Sequence, residues 1–146
     1  MTLVLDNSVA MRWFFKDGSA HDLDYATQVL EAVKTTAVAV PGIWALEVAN
    51  ALVRAEAQGI ASEGDSEAFA ERLGELKIAV DPETSAQALS GSLRLARRYG
   101  LTAYDACYLE LALRKEWPLA SLDKDLLRAA KRAGVKRFDP KGPRSH

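Results

Sequence analysis

The sequence predicts an α/β domain built on a parallel sheet, and three observations carry that expectation. Short apolar, strand-like runs alternate with longer segments of helical period. The 146 residues, 49% hydrophobic and 27% charged, have the size and apolar content of one domain able to bury a core. Punctuating residues fall between the segments: Pro41-Gly42 opens one helix, Gly59 and Gly100 close others, and Thr102 precedes Asp105 at capping-box spacing.

In chain order, the apolar run Leu3 to Leu5 is the first strand, and Ala37 to Val40, Ile78 to Val80, Leu119 to Ser121 and Val135 to Phe138 are the others. Helical period places helices near Ser8 to Phe15, Leu23 to Val33, Ile43 to Gln58, Glu67 to Leu76, Ser85 to Tyr99, Ala103 to Lys115 and Lys124 to Ala133. One domain is expected over 1–139, with Pro140 to His146 a loose end. No internal repeat or low-complexity tract interrupts it.

Composition removes several classes of function. No apolar run approaches the roughly 20 residues of a membrane span, because Asp6 interrupts the opening one. A soluble protein without an export signal is expected, and a reducing cytoplasm suits its lone cysteine, Cys107. With only His21 and His146 there is no Cys/His set for zinc. The glycines form no dinucleotide fingerprint, and the Gly59 to Gly64 gap is followed by Asp65-Ser66 where a phosphate-binding loop needs Lys-Ser/Thr. No nucleophile-elbow motif supports serine chemistry.

The net charge of -1 conceals an asymmetry. Residues 1–120 hold 11 bases and 17 acids, while 121–146 hold 8 bases and 3 acids. Lys124, Arg128, Lys131, Arg132, Lys136, Arg137, Lys141 and Arg144 are therefore candidates for phosphate contacts, although a solvated helix face and a frayed end account for the same residues.

Four carboxylates carry the chemistry. Asp6 follows the first strand, Glu47 lies in the first turns of the helix after the second, Asp105 stands three residues after Thr102, and Asp123 opens the helix after the fourth strand. Each has an ordinary structural explanation: Asp6, Asp105 and Asp123 suit helix caps, and Glu47 shares a polar stripe with Asn50, Arg54 and Gln58. All four nevertheless fall where open α/β sheets bind ligands, at carboxyl ends of strands and starts of helices. Gathered acids repel unless a cation holds them ionised. An oxygen-rich, histidine-free set suits Mg²⁺ or Mn²⁺, whose natural chemistry here is phosphodiester hydrolysis.

At Leu5-Asp6-Asn7-Ser8-Val9, at Glu47 with Asn50 three later, at Thr102-Ala103-Tyr104-Asp105-Ala106 and at Ala120-Ser121-Leu122-Asp123, the chain resembles the PIN-domain family. Within it the resemblance is to the VapC toxins of toxin–antitoxin operons, over nearly the whole length. The resemblance implies a PIN-like α/β/α sandwich with a five-stranded parallel sheet. Asp6, Glu47, Asp105 and Asp123 would surround one or two divalent ions, Mg²⁺ or Mn²⁺, in an endoribonuclease that uses metal-activated water. By the same correspondence Ser121 is the small hydroxyl residue that supports the site, with Asn50 and Asp125 as further supporting positions. It also implies a homodimer and a small antitoxin partner whose segment packs along a groove. Trp13, Phe14 and Phe15 cannot all be buried by one short helix, so part of that cluster is expected to face a partner.

Two other readings stay open on sequence grounds. A non-catalytic PIN-like module for RNA or protein contact would bind no divalent ion. A phosphatase using Asp6 as nucleophile, in the manner of haloacid-dehalogenase-like proteins, would carry a second Asp two residues on, where Ser8 stands.

Overall fold

Leu3, Val4 and Leu5 are wholly buried, and a strand covered on both faces belongs in the interior of a parallel sheet. In the computed structural model, which describes residues 1–142, this strand is β1 (Thr2–Leu5). It pairs in parallel with β2 (Ala37–Val40) on one side and β4 (Leu119–Ala120) on the other, and β2 pairs with β3 (Ile78–Val80). The order is β3-β2-β1-β4.

Parallel neighbours need crossovers, which the helices supply. They are α1 (Asn7–Phe14), α2 (Ala20–Val33), α3 (Trp44–Ala57), α4 (Glu63–Glu75), α5 (Thr84–Gln87), α6 (Leu93–Tyr99), α7 (Ala103–Lys115) and α8 (Lys124–Ala133). The last two have the limits expected from sequence. Helix α4 starts four residues earlier than expected, because Ser62 and Asp65 form a reciprocal capping box. The long helix expected over Ser85 to Tyr99 is divided by a π-helical turn, Ala88–Ser92. A Cβ at Gly91 would lie 3.3 Å from Glu110 Cγ on α7, so the chain passes α7 too closely for any other residue to fit without displacement.

The fifth strand is a correction. Arg137 makes only an isolated parallel bridge to Leu119, through Leu119 N–H to Lys136 O (2.9 Å) and Phe138 N–H to Leu119 O (2.8 Å). Gly134 in the left-handed conformation and Pro140 bracket a segment too short to extend the pairing, although Val135 and Phe138 are buried in the core. Among the described residues the sheet therefore has four strands. Of the expected loose end, Pro140 to Gly142 are described; 143–146, with Arg144 and His146, lie outside the described residues.

An ion-pair cluster fastens α7 to the far edge of the sheet. Arg114 donates to both oxygens of Asp81 just after β3 (2.6 and 3.1 Å) and to both oxygens of Glu110 (2.9 and 2.8 Å). Burial works to raise the Asp81 carboxyl, but Arg114, Thr84 and a backbone N–H together bring it below the usual range. Thr84 in turn accepts from Gly42 N–H (2.8 Å), tying the entry of α3 to the same point. No helix among the described residues is long and apolar enough to cross a membrane.

Candidate active site

The chain runs from β1 outward to β2 and β3, then returns to the opposite flank of β1 as β4. The order thus reverses between β1 and β4, the point at which open α/β sheets leave a crevice beyond their carboxyl ends. Asp6 leaves β1 there, and Ser121, Leu122 and Asp123 leave β4 beside it. Asp6 N–H donates to Ala120 O (2.9 Å), which sets the two strand ends level.

Asp6 occupies the N-cap position of α1, yet its carboxylate makes no cap hydrogen bond. It is 2% exposed, and Oδ2 accepts from Ser8 Oγ (2.6 Å) and Ser121 Oγ (2.8 Å). Each serine is fixed in turn: Ser8 accepts from Leu122 N–H (2.9 Å), and Ser121 from Asp123 N–H (3.0 Å). Among the described residues Oδ1 is buried with no partner. Burial pushes the Asp6 carboxyl up to about 6, the serine hydrogen bonds oppose it, and the charges of Asp105 and Asp123 add to it.

Glu47 is half-buried rather than on a solvated stripe, and it accepts a short hydrogen bond from the Tyr108 hydroxyl. Burial pushes Glu47 up to about 7, Tyr108 opposes the rise, and the charges of Asp6 and Asp105 reinforce it. Tyr108 is itself wholly buried, and desolvation together with the nearby Asp6 and Glu47 charges raises its hydroxyl, which stays a donor.

Asp105 is held at the start of α7 by its backbone N–H, which donates to Thr102 Oγ1 (3.1 Å). Its half-buried carboxyl is raised by desolvation and by Asp123, eased by Thr102, and raised further by Asp125. Asp123 does cap α8, through Oδ1 to Leu126 N–H (3.0 Å). The structural role weighed for Asp123 is therefore real, and it leaves Oδ2 outside the cap. Asn50 is exposed on α3, and Asp125 is exposed and paired with Arg128 (3.1 Å).

Asp6 thus feels the charges of Asp105 and Asp123, Glu47 those of Asp6 and Asp105, and Asp105 that of Asp123, with no Arg or Lys among the charges that shift Asp6, Glu47 or Asp105. Among the described residues no three Asp, Glu, His or Cys side chains already stand close enough to hold an ion. The residues nonetheless fit a hard dication by chemistry: every donor is oxygen, and Asp6 keeps one buried oxygen without a partner among the described residues, which such an ion would satisfy. Ser8 and Tyr108 are supports that the sequence left unassigned. Their only sequence signals are spacing, Ser8 two residues after Asp6 and Tyr108 one helical turn after Asp105.

Comparison with known proteins agrees with this architecture. Ribonuclease VapC3 of Pyrobaculum aerophilum is 29% identical over 126 residues, covering 86% of this chain and 92% of that protein. The crystal structure of PAE2754 from the same organism superposes with a TM-score of 0.66 at 20% identity, covering 96% of this chain and 90% of the other. VapBC2 from Rickettsia felis, solved bound to a DNA fragment from its promoter, gives 0.64 at 12% identity over 94% and 98% of the two chains. FitAcB from Neisseria gonorrhoeae gives 0.55 at 16% over 95% and 98%. These structures share the fold. The profile of the PIN domain matches residues 3–132, and with that extent matched the chain belongs to the PIN domain family.

Proposed function

We propose that this protein is the toxin of a VapBC-like toxin–antitoxin pair and acts as a divalent-metal-dependent endoribonuclease, with residues 1–139 forming the domain. The observation that carries the reading is the buried, unpartnered Asp6 Oδ1 within a set of mutually repelling carboxylates at the sheet's switch point. Similarity to a ribonuclease over most of both chains supports the same reaction class.

Asp6, Glu47, Asp105 and Asp123 would hold Mg²⁺ or Mn²⁺, which when bound lowers the pKa of water and stabilises charge on a phosphoryl oxygen. The protein's own part is positioning. Ser8 and Ser121 both engage Asp6 Oδ2, so the carboxylate cannot turn and Oδ1 remains available. Tyr108 occupies one oxygen of Glu47 and leaves the other free. Thr102 fixes the backbone under Asp105. Asn50 and Asp125, both exposed, would act as outer supports, Asp125 through its charge on Asp105.

The antitoxin is expected along a groove of about 890 Å³ beside α1 and α4, lined by Trp13, Phe14, Phe15, Phe69, Leu73 and Leu76. The three adjacent aromatics are all half-buried: Phe14 packs on Phe69 at 5.0 Å between ring centroids, and Trp13 Nε1 donates to Ala26 O (2.8 Å). A homodimer is expected as well, and the exposed Leu46 and Val53 on α3 are suited to such an interface.

Calorimetric titration with Mn²⁺ tests the reading together with an RNA cleavage assay. The wild type should bind Mn²⁺ and cut RNA, and Asp6→Asn should do neither while keeping its circular dichroism. Full cleavage by Asp6→Asn would overturn the proposal, and absence of Mn²⁺ binding by the wild type would favour the non-catalytic module.

A further inference from the structure

Helices α6 and α8 are separate in sequence, yet each ends in basic residues, and the fold brings those ends together on one aromatic ring. Arg98 and Arg132 both place their guanidinium groups over Tyr99, at 5.6 and 5.5 Å from the ring centroid. Arg94 lies one turn before Arg98, and Arg97 stands beside it, so α6 presents three arginines to solvent, two of them at i,i+4 spacing.

Among the described residues none of Arg94, Arg98 and Arg132 takes part in an ion pair. Favourable interaction with helix dipoles explains a base in the last turn of each helix. It does not explain gathering two such ends in a chain whose net charge is -1, where like charges repel.

The position of the cluster supplies the second argument. Helix α6 runs through Gly100 and Thr102 directly into α7, which carries Asp105, and α8 begins at Asp123. Arg132 is nine residues from Asp123, ~13 Å along the helix axis. Tyr104, beside Asp105 and 65% exposed, stands between Arg98 and Asp105 in sequence. An exposed aromatic next to a basic surface is the combination that holds a nucleic-acid strand, by stacking a base and neutralising phosphates.

We propose that Tyr104, Arg98 and Arg132 form a surface that holds RNA against the acidic site, Tyr104 under a base and the two arginines on phosphates. The proposal rests on the ribonuclease reading for its ligand, and it assigns the binding to α6 and α8 rather than to the basic residues that follow α8. Arg98 and Arg132 are presented by helices, with Tyr99 limiting their freedom, so their phosphate contacts are ordered before RNA arrives.

Fluorescence anisotropy with a fluorescein-labelled RNA hairpin bearing single-stranded flanks tests it, using the full chain in EDTA so that the RNA stays intact. Arg98→Gln/Arg132→Gln should weaken binding about tenfold or more. It should also make the plot of log affinity against log salt shallower by about 1.4, at roughly 0.7 per phosphate contact on a single strand. The charge-keeping pair Arg98→Lys/Arg132→Lys should retain the wild-type slope. Tyr104→Ala should weaken binding about tenfold with the slope unchanged, since stacking releases no counterion. Lys136→Gln/Lys141→Gln should bind as wild type.

Wild-type affinity and slope in the double arginine variant, wild-type affinity in Tyr104→Ala, or loss confined to the Lys136/Lys141 variant would overturn the proposal. Failure of the nuclease reading has a separate signature, cleavage by Asp6→Asn at the wild-type rate in Mn²⁺.

Discussion

Removing the charge at Asp6 should stabilise the metal-free protein while abolishing its response to metal. A carboxyl lifted from its ordinary 3.8 to about 6 by burial destabilises the fold when ionised, by about 3 kcal/mol at roughly 1.4 kcal/mol per pH unit. In Asp6→Asn the side-chain carbonyl can keep the hydrogen bonds from Ser8 and Ser121, but the new NH₂ replaces an oxygen that has no partner. An unsatisfied buried donor costs about 1–3 kcal/mol. The net gain is then up to about 2 kcal/mol, or up to about 6 °C in melting temperature for a domain of this size. The sign with pH follows from the upward shift: the stability associated with a neutral Asp6 is fully present below 3.8 and is lost as pH rises through about 6. Glu47 acts in the same direction, with its loss spread between its ordinary 4.5 and about 7. Thermal melts in EDTA should therefore show wild-type stability falling from pH 5 to 7.5, with a shallower fall in Asp6→Asn. Mn²⁺ at pH 7.5 should raise the wild-type melting temperature and leave that of the variant unchanged. A variant that melts below the wild type at pH 7.5 in EDTA, or a wild type whose stability is flat over that range, would refute the reasoning.

Three further outcomes test the supports around the site. Tyr108→Phe deletes only the hydroxyl on Glu47, and should reduce Mn²⁺ affinity about 10- to 100-fold in calorimetry; in a Glu47→Ala background the same change should have no further effect on affinity. Ser121→Ala removes both a donor to Asp6 and the acceptor for Asp123 N–H, and should lower stability by about 1–3 kcal/mol in urea unfolding while reducing cleavage. Arg114→Met leaves the buried Asp81 and Glu110 without their cation, and should cost about 3–5 kcal/mol, read as a lower urea midpoint at pH 7.5.

The sequence by itself determined the class of fold, the limits of α7 and α8, and the placing of Asp6, Asp105 and Asp123 where strands end and helices begin. Those properties are local. A cap such as Thr102 on Asp105 N–H, a left-handed glycine at 100, or a buried run such as Leu3 to Leu5 depends on neighbours within a few positions. Tertiary structure alone decided which groups meet. Ser121 reaches Asp6 across 115 positions because β4 returns to the free flank of β1, and Tyr108 reaches Glu47 across 61 because α7 packs against the sheet beside α3. The same holds for the π turn that carries Gly91 close past α7, and for the fifth strand, cut to one bridge at Arg137. Pairings between distant segments follow from crossover order and packing, which no residue's immediate neighbours encode.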